Sequence, residues 1–421
     1  MRMEQLQRLT DLLYGGPLMV LLLGTGLYFT VRTGVVQLRG LPKGVRTLRQ
    51  GGNLRAMLIS TGARVGTGNV AGVAAALAIG GPGAVFWMWV TALVGAASSF
   101  AESVLAQRYR QRGGSGCYGG AAFYIQQGMG SRTLGVLFTL ALIGCFGGAM
   151  NALQAYQLQS TLRPYGIPPL VVALGLTALT ALCIQRDGVG RWSEILVPTM
   201  AVGYLLMTLG VMALCRRQVP AMLGEIFRDA FAPDSLAGGL AGGTMSIGIR
   251  RGLFTNEAGM GSASQAAAAA EARHPADQGM AQVLSVFIDT LLLCSATAFM
   301  LLLSGVPAAG HSDIGWAQAA VSAVLGHWAV HGMTAAVLCF AFTSILGGYY
   351  YTASASLFLS GSPWLRRLMQ AICLLTVFFG SLAQAELVWQ LTDLAMAVMV
   401  VLNLAALWYL RREVVDSLRQ W

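Results

Sequence analysis

Residues 62–72 set Gly62, Arg64, Gly66, Thr67, Gly68, Asn69 and Gly72 inside an otherwise apolar stretch. Each interior glycine costs about 1 kcal/mol of helix stability relative to alanine. Such a density of glycine beside Thr and Asn predicts unwinding at Gly66–Asn69. Broken backbone at bilayer depth is tolerated only inside a protein or beside a water-lined cavity. There, freed amides can hold a carboxylate and freed carbonyls a cation. The competing reading is close helix packing through small residues. A second stretch has the same character. Gly238, Gly239, Gly242, Gly243 and Gly248 lead into Arg250–Arg251–Gly252–Leu253–Phe254–Thr255–Asn256–Glu257–Ala258–Gly259–Met260–Gly261. A glutamate buried in a membrane marks function by default.

Other polar residues interrupt apolar runs. Asn151, Gln154 and Gln157 recur every three residues on one helix face, as a cavity wall or as interhelical glue. Thr343 and Ser344 offer hard oxygen donors suited to a cation such as sodium, or bond back to their own helix. Glu102 and Asp289 read first as packing partners of Arg, Ser or Thr, and second as ion or proton groups. Glu257 reads as a lock on the broken helix, with Arg64 or Arg250 as partner. The four histidines lack metal-ligand spacing with acidic partners, and no phosphate loop or hydrolase motif occurs. An enzyme or ATP-driven pump is unsupported.

These residues need elements at bilayer depth, and the composition supplies them. The chain has 421 residues, 56% hydrophobic and 10% charged, whereas a soluble domain carries about 25% charged residues. This excludes a soluble globular, disordered or disulfide-scaffold protein. Apolar helices are expected at about 17–31, 55–79, 83–109, 133–160, 168–184, 193–214, 236–270, 280–304, 331–359, 365–382 and 386–410, since a crossing needs about 20 residues. A short amphipathic surface helix precedes them, and 305–330 could form an interfacial helix around Trp316 and Trp328. The net charge of +10 reads first as a topology signal. One face collects Arg32, Arg39, Lys43, Arg46, Arg49, Arg55, Arg108, Arg110, Arg112, Arg132, Arg186, Arg191, Arg273, Arg366, Arg367, Arg411, Arg412 and Arg419. The other holds only Arg2, Arg8, Arg163, Arg216, Arg217 and Arg228. The richer face is expected in the cytoplasm, with the amino terminus outside and the carboxyl terminus inside.

The two glycine-interrupted helices open corresponding sets of five, at 55–214 and 236–410. Five per set is odd, so the halves would be inverted, and such a pair is the best sequence pointer to a transport site. Residues 1–54 would hold the surface helix, one extra membrane helix and a basic segment, and 411–421 a cytoplasmic tail.

At these residues the chain resembles the alanine/glycine:cation symporters. The matching stretches are Val65–Gly72, Gly80–Ala92, Phe100–Tyr109, Arg251–Ala263, Val286–Ser304 and Phe340–Tyr351. The resemblance spans about residues 15–410. It implies an all-α integral membrane protein with a LeuT-like 5+5 inverted repeat and two broken helices. It implies alternating-access symport of a small neutral amino acid with sodium, or with a proton as the second choice. Alanine, glycine and glutamine are the substrates to consider. Gly66, Thr67, Gly68, Gln154, Leu253, Phe254, Thr255, Asn256, Met260, Ser344 and Gly348 would line the substrate site. Asn69, Thr343 and Ser344, with the carbonyls of Val65 and Gly66, would hold sodium.

The resemblance implies no organic cofactor; sodium is the coupling ion. Partners would be the amino acid, sodium and lipid, with no nucleic acid, in the cell membrane. The chain departs from the family pattern at Gly348, where Asn or Trp is usual, and at Gly119–Tyr124. If position 348 faces the pocket, Gly leaves room for a glutamine-sized substrate. A non-transporting sensor and an ion channel are the competing readings. No appended signalling domain favours the first, and a channel would not need two asymmetric broken helices.

Overall fold

The computed structural model describes residues 13–14, 16–113, 116–185, 188–232, 243–311 and 313–421. The expected surface helix before residue 13 and the glycines Gly238, Gly239 and Gly242 lie outside these residues. The described chain is almost wholly helical. In order, α1 is Pro17–Arg32, α2 Asn53–Arg64, α3 Ala71–Gly80, α4 Gly83–Arg108 and α5 Ala121–Met129. Next come α6 Arg132–Leu142, α7 Met150–Leu162, α8 Pro169–Gln185, α9 Val189–Leu214 and α10 Val219–Ala230. Then follow α11 Thr244–Asn256, α12 Ser264–Ala269, α13 Pro275–Val286, α14 Ser295–Ser304 and α15 Asp313–Leu325. The last are α16 Ala329–Leu359, α17 Pro363–Gly380, α18 Ala385–Tyr409 and α19 Arg411–Arg419.

Among the described residues, 6 helical stretches are long and apolar enough to cross a membrane: Gly83–Arg108, Arg132–Tyr165, Val189–Leu214, Pro275–Ser304, Ala329–Leu359 and Glu386–Tyr409. Three shorter apolar helices are Pro17–Arg32, Thr67–Gly80 and Pro169–Ile184. Glycines set the spacing between helices. A Cβ on Gly26 of α1 would lie 2.5 Å from the Val94 carbonyl of α4. One on Gly347 of α16 would lie 2.6 Å from Ala63 of α2. Bilayer helices gain van der Waals contact by such close approach, because lipid tails supply no apolar driving force of their own.

Four features differ from the expectation. The helices α6 and α7 are joined by a π-helical segment, Ile143–Ala149, and α13 and α14 by another, Phe287–Cys294. A hairpin pairs Gln111–Gly113 with Gly116–Tyr118. The amphipathic α10 caps the start of α4, where Asp229 accepts the Gly83 amide at 2.7 Å. Finally, 411–421 is no loose tail. Val414 and Val415 of α19 are buried, and Glu413 pairs with Arg108 at 2.9 Å and accepts from the Tyr109 hydroxyl. Burial first, and then that bond, push the Tyr109 phenol up to about 12, so it remains a donor at neutral pH.

Candidate functional site

The first break lies between α2 and α3. Val65 leaves helical geometry, Gly66 is extended, and Thr67–Asn69 form a single 3-10 turn. The backbone groups set free there find side-chain partners, as buried groups must. The Gly66 amide donates to Asn69 Oδ1 at 3.1 Å. The Thr67 amide and hydroxyl both donate to Gln154 Oε1 of α7, at 2.9 and 2.8 Å. Ser344 of α16 donates to the carbonyls of Ala63 and Gly62, at 2.9 and 3.2 Å. A Cβ on Gly66 would lie 2.5 Å from Ser344 Oγ and 2.9 Å from the Gln154 amide. Only glycine lets these two side chains reach the backbone together.

The second break follows Asn256. Glu257 takes the left-handed conformation with φ 53°, and Gly259 and Gly261 also have positive φ. Asn256 Oδ1 accepts the Ala258 amide at 3.0 Å, and Ser262 donates to Glu257 Oε2 at 2.6 Å. The breaks meet through Phe254. Its ring covers Gly68 so closely that a Cβ there would lie 2.3 Å from the ring. Its other side packs on Trp389 of α18, with centroids 5.0 Å apart. The Arg251 guanidinium lies 4.2 Å over Trp389 and 3.8 Å from Asp393. Asp393 also accepts from Arg250. Gly68, Phe254, Trp389, Arg251 and Asp393 thus form one column.

The structure brings Gly66, Thr67, Gln154 and Ser344 together, and Gly68 with Phe254. Leu253, at the end of α11, uses its carbonyl to accept the Glu257 amide at 2.9 Å. Thr255 donates to the Gly252 carbonyl of its own helix and faces Thr290 at 3.4 Å. Met260 is fully buried in the segment between the helices.

Two of the expected groups have other partners among the described residues. Asn69 is one. Its amide nitrogen donates to Asp289 Oδ1 at 2.7 Å and to Cys294 Sγ at 3.3 Å, so it faces the second π segment. Thr343 donates to the Cys339 and Phe340 carbonyls of its own helix and lies by Gly62. Gly348 does not open space. A Cβ there would lie 2.6 Å from Asn151 Oδ1 and 3.1 Å from the Phe146 carbonyl. Asn151 of α7 and the first π segment take up that side of Gly348.

Sequence reasoning missed Trp389 and Asp393 and placed Asp289 among packing groups. The signal for Asp393 was present, as a lone acid inside the last apolar run. The residues around both breaks are buried, and the open apolar grooves lie elsewhere, along Ala141, Gly148, Ala152, Thr376 and Leu391. The inner half of α2 is tied to α13. Ser60 and Arg64 bond Gln282 at 2.7 and 3.1 Å, and Thr61 bonds Ser285 at 2.8 Å.

Residues 2–421 match the sequence profile of the sodium:alanine symporter family. The chain belongs to that family. It is 41% identical over 397 residues to the amino-acid carrier protein AlsT of Bacillus subtilis, covering 92% of this chain and 85% of the relative. It is 39% identical over 424 residues to a probable sodium/glutamine symporter, GlnT, of the same organism, covering 98% and 89%. It is 33% identical over 425 residues to the sodium/alanine symporter AgcS of Methanococcus maripaludis, covering 96% and 94%. In fold, the chain is similar to a Na+-coupled sialic acid symporter, with a TM-score of 0.57, 14% identity, and 94% and 86% of the two chains covered. It is a multi-pass membrane protein of a transporter family.

Proposed function

We propose that this symporter couples sodium influx to uptake of a small neutral amino acid such as alanine or glycine by alternating access. The observation that carries the reading is the meeting of two helix breaks across Phe254 and Gly68, with Thr67, Gln154 and Ser344 beside them. A substrate carboxylate would replace Gln154 Oε1 at the Thr67 amide and add the Gly66 and Gly68 backbone. Its ammonium would meet the end of α11 at Leu253–Asn256. Phe254 and Met260 would limit the side chain, which favours alanine or glycine over glutamine.

Sodium would sit at the last turn of α2, held by Ser344 and Thr343 with backbone carbonyls through Val65 and Gly66. All donors there are hard oxygens, the set a small alkali cation prefers. Joint occupancy would stabilise the closed form, which links the two fluxes. The frame would be the LeuT-like one: residues 55–214 and 236–410 as inverted five-helix halves, α1 as an extra helix, and the arginine-rich face in the cytoplasm.

The test is uptake of labelled alanine, glycine and glutamine into proteoliposomes under an inward sodium gradient. The expected result is sodium-dependent alanine and glycine uptake. Equal uptake with potassium in place of sodium, and no proton gradient, would overturn the reading.

A further inference from the structure

We propose that Glu102 and Glu257 are two proton-binding carboxyls beside the second break, distinct from the groups that would hold sodium. Both side chains are fully buried. Each uses one oxygen and leaves the other unmatched. Asn403 of α18 donates to Glu102 Oε1 at 3.0 Å, and Ser262 donates to Glu257 Oε2 at 2.6 Å. Glu102 Oε2 and Glu257 Oε1 have no hydrogen-bond partner. An ionised carboxylate accepts at both oxygens, and leaving one bare in an apolar interior is costly. A protonated carboxyl needs fewer donors and carries no charge.

The charge count points the same way. Arg64 is the cation that faces Glu102, Glu257 and Asp289 together. It donates to Gln282 and Ser99, and no ion pair among the described residues includes it. Asp289 is well supplied, by Asn69 and by Thr290 at 2.8 Å. One guanidinium balances one of these three carboxylates and leaves two in excess, and of the three the glutamates have the fewer donors. The remaining groups facing the two glutamates are uncharged at neutral pH. Tyr124 of α5, Tyr351 of α16 and Asn403 face Glu102. Cys145 of the first π segment and Tyr351 face Glu257. The Tyr351 hydroxyl and Arg64 Nε are themselves unpartnered, which marks the place as polar and short of ligands.

The ligand is a proton. It would come from water on whichever side the site opens to and add to one bare oxygen. Both are also built into the break. The Gly259 and Gly261 amides face the Glu102 carboxyl, and Asn403 ties the Gly259 carbonyl at 2.9 Å. Glu257 begins the same segment. Bonds to a charged carboxylate are about twice as strong as neutral ones, so a bound proton weakens the Asn403 and Ser262 bonds that hold 257–263. Binding of the proton stands independently of the transported substrate; only its effect on uptake rests on the symport reading.

The test uses the full chain reconstituted in lipid. Infrared difference spectra between acid and alkaline buffer should show a protonated-carboxyl band that shifts in heavy water. The band should lose intensity in Glu102→Gln and in Glu257→Gln. Sodium-driven alanine uptake, with internal and external pH held equal, should change about ten-fold per pH unit beyond the titration. Each Gln variant should flatten that profile to within about two-fold, while Glu257→Asp keeps it with a moved midpoint. A band of equal intensity in wild type and both Gln variants overturns the proposal, whatever uptake does. If a variant fails to fold, the other decides through the same band. A profile that stays steep in both Gln variants, with the band lost, overturns the link to transport.

Discussion

Gln154 does at one atom what the resemblance assigned to a substrate. Its Oε1 holds both the amide and the hydroxyl of Thr67. Removing it leaves a buried amide without a partner, a loss of about 1–3 kcal/mol. Because the substrate carboxylate would take over that amide, Gln154→Ala should lower the half-saturating alanine concentration about ten-fold, read from initial uptake rates at saturating sodium. An unchanged value would remove Gln154 from the site. Ser344→Ala should shift the sodium dependence instead, with the alanine dependence at high sodium little altered. Glycine density and residue type made Gly66–Asn69, Gln154 and Ser344 legible in the sequence. Their partners were not. Asn69 contacts Asp289, 220 positions on, and no local pattern distinguishes that pairing from one with Ser344. Gly348 was misread for the same reason, because whether a missing Cβ makes space depends on what stands opposite.

The elements divide by how local their causes are. Long apolar runs fixed α4, α9, α16 and α18, since a run of that length has few alternatives in a bilayer. The π segments escaped notice because a π turn arises from tertiary context rather than from a composition signal. Each one carries a group that meets a predicted site residue: Phe146 against Gly348, and Asp289 against Asn69. The docking of α1 was also invisible, and Gly26 is where its backbone comes closest to α4. Gly26→Val would push a side chain into the Val94 backbone, an overpacking penalty of about 1–3 kcal/mol. The expected outcome is a lower Tm in detergent, with the Gly24→Val control near wild type because nothing lies within 4 Å of a Cβ on Gly24.

At the scale of the whole molecule, two seals enclose the breaks. On one side Ser60, Thr61 and Arg64 bind α13. On the other, Asp393 gathers Arg250, Arg251 and the Trp389 column. Asp393→Asn leaves two arginines short of a counter-charge and should open the second seal. Modification of the buried Cys294 by a membrane-impermeant thiol reagent from outside should then rise several-fold, read by peptide mass spectrometry. Unchanged labelling would exclude Asp393 as a closing group. The number of crossings was readable to the extent that hydropathy counts apolar length. The seals were not, because each joins polar groups far apart in sequence.

Both breaks are capped by their own asparagine: Asn69 on Gly66 and Asn256 on Ala258. These backbone amides are therefore satisfied within the protein itself. In the proposed cycle cargo would arrive as a swap of bonds rather than an addition, and the unladen return would meet a low barrier. Net uptake requires that return, whereas exchange of labelled for unlabelled substrate does not. Asn69→Ala should thus slow net uptake more than exchange, a ratio obtained from the same vesicles with and without internal alanine.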